Sequence, residues 1–317
     1  MKIKQVTQVN FSTLCFVKFD SFFTALGYES RSMNIAERVV KFKIKDKYAL
    51  AFQRRVDVGS RLKNENLAKK LKFIKIDLPE NDSSILREII LQRLKKGSSL
   101  NLLVDFSSMT KVWYATILQT LSAIKTYKNR EINLFFAYSP AKFSKPTKTT
   151  LPNEIMDPLP GFCNLELPND RQTALILGLG YDHDRASGLY QYIDPGDAYV
   201  FYANPSHDAR FVSEVRTNNA SLFRKLKDNV ISYPGLDLIT TYNYLNALSF
   251  NLLKKYRVIL APLGPKPFSL LCFVMLMQFP ELKFDIWRVS LSQSSPPDDR
   301  IPAQTVPIVL KVTFRGD

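Results

Sequence analysis

The side chains best suited to chemistry stand in the run DFSSMTK, Asp105–Lys111, directly after the largely apolar stretch Leu100–Val104. Ser107, Ser108 and Thr110 bring hydroxyls to what reads as a helix start, and Lys111 adds a cation. Hydroxyls, helix-start N–H groups and one positive charge together suit a phosphate or a ribose edge. The run is not a Walker A loop, because GxxxxGK[ST] is absent. The serines are also good N-caps for the following helix, and spacing alone leaves both roles open.

A second candidate region repeats in two places. LGYESRS at Leu26–Ser32 and LGYDHDRAS at Leu179–Ser187 each follow an apolar run. Gly27 and Gly180 would let the backbone turn sharply and let an anion approach the next helix. Gly178 and Gly180 give GLG, but position 183 is His, so the dinucleotide fingerprint GxGxxG is incomplete. Glu29 and Arg31 follow Gly27, and Asp182, His183, Asp184 and Arg185 follow Gly180. A histidine between carboxylates could serve acid–base chemistry, which makes His183, with Glu29, the candidate for catalysis. Neighbours on an extended loop point in different directions, however, so the spacing favours a polar turn with Asp184 capping the next helix. Asn204, Ser206, His207 and Asp208 follow a strand-like run, where a Rossmann-like sheet often meets a ribose. Gly264 and Lys266 lie in APLGPKP, a turn stiffened by Pro262, Pro265 and Pro267. Arg216, Asn218 and Asn219 form a polar stretch, RTNN, to which spacing assigns no role.

These residues need a scaffold, and the chain supplies one by alternation. Phe22–Leu26, Tyr48–Phe52, Phe73–Ile76, Leu100–Asp105 and Ile132–Ala137 read as short buried strands. So do Thr173–Leu179, Tyr199–Tyr202, Val230–Tyr233, Arg257–Ala261 and Phe284–Val289. Between them, Ser83–Lys96 carries Ile85, Leu86, Ile89, Ile90 and Leu94 at helical spacing, with Asp82 or Ser83 as N-cap and Gly97 as stop. Further helices are expected at Met109–Tyr127, Asp184–Tyr192, His207–Val215, Leu238–Tyr256 and Pro267–Phe279. Strand–helix alternation with continuously apolar strands predicts an α/β protein with parallel sheets covered on both faces. The motifs then fall at the carboxyl ends of strands, where open parallel sheets bind ligands.

The plan occurs twice. Gly27 and Gly180 are offset by 153 (180 − 27), and Lys111 and Lys266 by 155 (266 − 111). Two motif pairs at nearly one spacing predict two Rossmann-like halves related by internal duplication. The expected division is residues 1–138, a proline-rich linker 139–169, and residues 170–317. Pro140, Pro146, Pro152, Pro158, Pro160 and Pro168 argue against a helix or a central strand in that linker.

Composition narrows the classes. Hydrophobic residues make up 45% and aromatics 12%, which excludes a disordered chain. Three cysteines without a CxxC pair exclude a disulfide scaffold, and two histidines argue against a multi-histidine metal site. The longest apolar run, Phe268–Phe279, falls short of the roughly 20 residues that span a bilayer. No apolar segment precedes Asn10, so no secretory leader is expected. A cytoplasmic protein without cofactor, metal or membrane partner is the expectation. Lys and Arg number 44 against 29 Asp and Glu, a net charge of +15 that attracts polyanions.

The segment LLVDFSSMTKVWYATIL, a strand, a serine-rich turn, a lysine and an apolar helix, resembles the ligand-binding signature of CARF-type Rossmann-like domains. Thr110 and Lys111 match the Thr-Lys of that family's turn, whereas Ser108 and Met109 stand where it has glycines. In the second half Gly264 and Lys266 match and Pro265 interrupts. A fused pair of such domains resembles the SAVED arrangement. The resemblance implies recognition of a nucleotide-derived ligand, such as a cyclic oligonucleotide, in a cleft between the halves during antiviral defence. The effector activity would then lie on a partner protein. A nucleotide hydrolase of phosphodiesterase type, using His183 or Glu29, and a nucleic-acid-binding subunit are the alternatives.

Overall fold

The computed structural model describes residues 1–54, 56–79, 83–94, 99–124, 130–146, 153–159, 161–163, 171–291 and 298–316. The expected N-cap Asp82, the stop Gly97, the helix end at Tyr127, and Pro152, Pro160 and Pro168 lie outside the described residues. The chain forms two compact units. The first comprises residues 1–142 and 297–317, the second residues 143–296.

The first unit is built on seven strands: β1 (Lys2–Val9), β2 (Lys18–Leu26), β3 (Lys43–Phe52), β4 (Ile74–Leu78), β5 (Ser99–Asp105), β6 (Glu131–Tyr138) and, from the C-terminal end, β13 (Ile308–Arg315). Their order is β1-β13-β6-β5-β2-β3-β4. The run from β6 to β4 is parallel, and β13 is antiparallel to both β6 and β1. Its helices are α1 (Asn34–Arg38), α2 (Arg61–Lys70), α3 (Ser84–Leu94) and α4 (Lys111–Ser122). The second unit holds β7 (Asn153–Pro158), β8 (Thr173–Gly178), β9 (Asp197–Ala203), β10 (Val230–Tyr233), β11 (Arg257–Pro262) and β12 (Phe284–Leu291). Their order is β10-β9-β8-β11-β12-β7, all parallel except β7. Helices α5 (Arg185–Ile193), α6 (Ala209–Asn218), α7 (Ala220–Lys225), α8 (Leu238–Leu252) and α9 (Lys266–Gln278) complete it.

Numbered within each unit from β2 and from β8, the five parallel strands run 3-2-1-4-5 in both sheets, the doubly wound Rossmann order. Each sheet also carries an antiparallel strand beside its fifth parallel strand, β13 in one and β7 in the other. The two units therefore share one topology, as the motif offsets predict.

Apolar residues at strand and helix spacing account for the layers. Phe22, Leu26 and Leu103 of β2 and β5 pack with Ile35 of α1 in one core, and Leu177, Val200 and Ile259 occupy the other. On α3, Leu86, Ile90 and Leu94 are buried while Ile85 is exposed, so the inward stripe is narrower than the expected one. Helices α4 and α9 are buried on most faces, in keeping with their near-continuous apolar sequence. Pro267 sits in the first turn of α9, where its missing N–H breaks no helical bond.

The domain boundaries differ from the expected ones. Residues after Pro297 belong to the first unit and not to a C-terminal domain, because β13 completes the first sheet between β1 and β6. Within the expected linker, β7 forms an edge strand on β12, where Pro158 is tolerated, and the Leu159 N–H just after it donates to the Ile286 carbonyl at 2.7 Å.

Candidate functional site

The two central parallel strands of the first unit, β2 and β5, stand side by side and send their chains to different neighbours, which is the switch point of a doubly wound sheet. Their register sets Thr24 opposite Asp105, and the next strand sets Ala137 opposite Asp105. All three lie near the carboxyl ends. Asp105 is fully buried and accepts hydrogen bonds from the Ser107 N–H (3.0 Å), the Ser107 hydroxyl (2.6 Å) and the Thr24 hydroxyl (3.2 Å). Burial pushes its carboxyl up to about 6, against the pull of Ser107, Thr24 and the Arg31 charge.

The loop after β2 closes over this network. The Ser32 hydroxyl accepts from the Gly27 N–H at 3.1 Å and donates to the Ala25 carbonyl at 2.7 Å. Arg31 is buried and donates through Nε to Glu29 at 2.9 Å, and through Nη1 to the Tyr138 hydroxyl and the Ser139 carbonyl, each at 3.2 Å. Burial opposes its charge, but Glu29 and Tyr138 outweigh that and hold its pKa above the ordinary value. The same Glu29 oxygen accepts from the Ser108 hydroxyl at 2.6 Å. Ser107 is doubly used, since its hydroxyl also accepts from the Ser139 N–H at 2.8 Å.

The structure thus brings together Gly27, Glu29, Arg31, Ser107 and Ser108: Glu29 binds both Arg31 and Ser108, and Gly27 and Ser107 bond to Ser32, Asn64, Asp105 and Ser139 around them. Ser107 and Ser108 are both buried. Thr110, not a serine, is the N-cap of α4, its hydroxyl accepting from the Trp113 N–H at 3.3 Å. Lys111 is the first residue of α4 and is half-buried.

The second unit keeps the turns, but apolar residues stand where the first unit has Thr24 and Asp105. The positions facing each other near the ends of β8 and β11 are Leu177 and Ala261. Gly180 and Gly264 bring two backbones into contact: a Cβ on Gly180 would stand 2.7 Å from the Leu263 carbonyl oxygen, and one on Gly264 would stand 2.4 Å from that of Leu179. These glycines are required for close packing between the turns after β8 and β11. Lys266 opens α9 as Lys111 opens α4. Asp184 does occupy the N-cap of α5, at φ 58°, but its side chain makes no capping bond; Arg185 pairs with Asp182 at 3.2 Å instead. His183 is exposed. Asn204 is exposed, its amide 3.4 Å from the Tyr202 hydroxyl, and Asp208 caps α6 through the Arg210 N–H.

Spacing does not single out Arg61 and Asn64 in the first unit and assigns no role to Arg216, Asn218 and Asn219 in the second. Asn64 of α2 donates to the carbonyls of Gly27 and Glu29, both at 2.9 Å, while Arg61 donates to those of Leu26 and Phe52. In the second unit Asn219 donates to the Gly180 carbonyl at 2.9 Å and Asn218 to that of Tyr181 at 2.6 Å. Arg216 reaches the Tyr202 hydroxyl at 3.0 Å. Arg61-x-x-Asn64 and Arg216-x-x-Asn219 repeat at an offset of 155 (219 − 64), equal to that of the lysines. The repeated spacing was the available signal. Its chemistry is to hold the turn after the first strand of each unit by its carbonyls.

Fold and site define a tandem Rossmann-like α/β protein. No family model matches the chain, and no curated protein matches it. Among solved structures, it is similar to a functionally unknown protein, PA1789, from Pseudomonas aeruginosa PAO1, at 9% identity. That match covers 85% of this chain and 92% of the other with a TM-score of 0.25, too low to bear on fold or function. Among the described residues, no helix is long and apolar enough to cross a membrane.

Proposed function

We propose that the protein is a sensing or adaptor module that binds an anionic, nucleotide-derived ligand at the carboxyl ends of its parallel strands. The observation that carries this reading is the repeated lysine. Lys111 and Lys266 each open the helix that follows the fourth parallel strand of a Rossmann-like unit. A cation at that point adds to the helix-start N–H groups in attracting a phosphate, and the net charge of +15 favours the encounter. The resemblance of the Asp105–Lys111 turn to CARF-type domains supports a cyclic oligonucleotide as the ligand, a cytoplasmic antiviral-defence setting, and a partner protein that carries the output.

The test is calorimetric titration of the purified protein with a panel of cyclic oligonucleotides. Lys111→Ala removes a charge-assisted contact of about 1.5–3 kcal/mol and should weaken binding about 10- to 150-fold. Unchanged affinity in that variant counts against the site. Product formation during the titration would turn the reading to a nucleotide hydrolase, and a steep salt dependence of RNA or DNA affinity would turn it to a nucleic-acid-binding subunit.

A further inference from the structure

The loop between β2 and α1 holds a set of donors that point at a carboxylate from far along the chain. The Ser30 N–H donates to Asp299 Oδ1 and the Ser30 hydroxyl to Asp299 Oδ2, both at 2.6 Å. The Ser60 hydroxyl lies 2.9 Å from that of Ser30. Ser30 has a single hydroxyl proton and gives it to Asp299, so Ser60 is the donor in the contact between the two serines. Ser60 is fixed in turn: its N–H donates to the Tyr28 carbonyl at 2.9 Å, and the preceding Gly59 at φ +58° could not carry a side chain, since a Cβ there would stand 2.8 Å from the same oxygen. Asp299 is exposed, so water and solution anions reach its carboxylate and compete for the same donors. It arrives on residues 298–300, which lead into β13 and are tied to the loop a second time by the Arg31 N–H on the Arg300 carbonyl at 2.9 Å.

We propose that the Ser30 N–H and the Ser30 and Ser60 hydroxyls form an anion subsite, that Asp299 is its built-in occupant, and that a phosphate group binds there by displacing Asp299. Two donors at equal distance on the two oxygens of one anion are the geometry a phosphate also satisfies. A phosphate presents a third acceptor oxygen for Ser60, which a carboxylate cannot. Asp299 acts as an intramolecular competitor. The subsite lies on the loop that carries Glu29 and Arg31, at the carboxyl end of β2, where a doubly wound sheet takes its ligand. Displacement would free Asp299 and, with it, the start of the segment that returns the chain to the first unit. Only the assignment of the phosphate to a nucleotide rests on the reading given above; the subsite itself takes any accessible phosphate.

The probe is inorganic pyrophosphate, titrated by calorimetry into the full chain. If Asp299 closes the subsite about 90% of the time, its removal raises the apparent affinity about tenfold. Asp299→Ala should therefore bind pyrophosphate about tenfold more tightly than the parent, and adding Ser30→Ala should abolish the gain. Asp299→Asn, which keeps one acceptor on Ser30 but removes the charge, covers the case in which alanine loosens the loop, and should show part of the gain. No gain in either Asp299 variant overturns the proposal and makes the contact a structural tie. A gain that survives Ser30→Ala overturns it too, since the anion would then sit elsewhere. Lys111→Ala with a cyclic oligonucleotide reports separately on the ligand class. If that variant is silent while Asp299→Ala gains pyrophosphate affinity, the nucleotide reading fails and the subsite stands.

Discussion

Replacing Asp105 by asparagine should make the protein more stable at neutral pH and remove a pH dependence that the parent shows. The Asp105 carboxyl is enclosed by protein, and burial pushes it up to about 6 from an ordinary 3.8. A difference of about two pH units corresponds to about 3 kcal/mol. The native pKa lies above the unfolded one, so between about pH 4 and pH 6 the native state holds a proton that the unfolded chain has lost. Stability from this group is fully present below about pH 4 and is lost as pH rises through about 6. The hydrogen-bond geometry agrees with a group that is comfortable when neutral. Thr24 Oγ1 lies 3.2 Å from Asp105 Oδ2 and 3.3 Å from the Ser32 carbonyl, so its one proton can go to either. An asparagine Nδ2 can donate to Thr24, which then donates to Ser32, while Oδ1 keeps the Ser107 N–H and hydroxyl. Asp105→Ala instead leaves those two donors without an acceptor, at about 1–3 kcal/mol each. Urea unfolding of the parent and both variants across about pH 4 to 7 measures the difference, with the alanine variant destabilised throughout. A parent and an Asp105→Asn variant with equal pH slopes, or an asparagine variant less stable than the parent at neutral pH, would refute the reasoning.

Two further changes probe the turns. Gly264→Ala puts a Cβ 2.4 Å from the Leu179 carbonyl oxygen, and the overpacking should cost about 1–3 kcal/mol; an unchanged thermal midpoint would show that the two turns are not locked together. Asn64→Ala strips the buried Gly27 carbonyl, and Asn219→Ala the part-buried Gly180 and buried Val215 carbonyls, of their donor, at about 1–3 kcal/mol. Chemical denaturation should find both destabilised, and a neutral effect at one position would mean that the repeated Arg-x-x-Asn has different roles in the two units.

The parallel core could be read from the chain because its strands are apolar on both faces. Phe22–Leu26, Leu100–Asp105 and Thr173–Leu179 stand out from helices with a different period, and all three coincide with strands. The expected elements do not include β1, α2 or β13, and the first two carry weak local signals. β1, KIKQVTQV, is an edge strand with polar residues on most positions, and α2 has a poorly segregated polar surface. β13 is apolar, but its place between β1 and β6 depends on pairing with residues that lie about 175–310 positions earlier in the chain, as in Leu310 opposite Phe136 and Val309 opposite Val9. Spacing cannot convey that. Type and position single out Ser107, Ser108, Glu29 and Arg31 as candidates, and the structure places them near one another. Spacing does not convey that Ser107 and Arg31 are taken up by Asp105, Glu29, Tyr138 and Ser139, because that depends on a register across β2 and β5 that sets Thr24 beside Asp105.

The two units show how one scaffold came to carry different interiors at the same place. Both share the 3-2-1-4-5 order, a glycine after the first strand, an asparagine on that turn's carbonyls, and a lysine opening the helix after the fourth parallel strand. Between those shared points the chemistry diverges. In the first unit Thr24, Asp105 and Ser107 set a buried acid under a loop that itself carries an ion pair. In the second, Leu177 and Ala261 fill the same level, and glycines let the two turns close on each other. A buried acid desolvated by its surroundings is costly to retain, and apolar residues of the second unit show that the fold does not need it. The polar network of the first unit is therefore not a requirement of the topology. It lies under the loop that presents Ser30, next to the start of α4, and so beside the subsite proposed above for a phosphate.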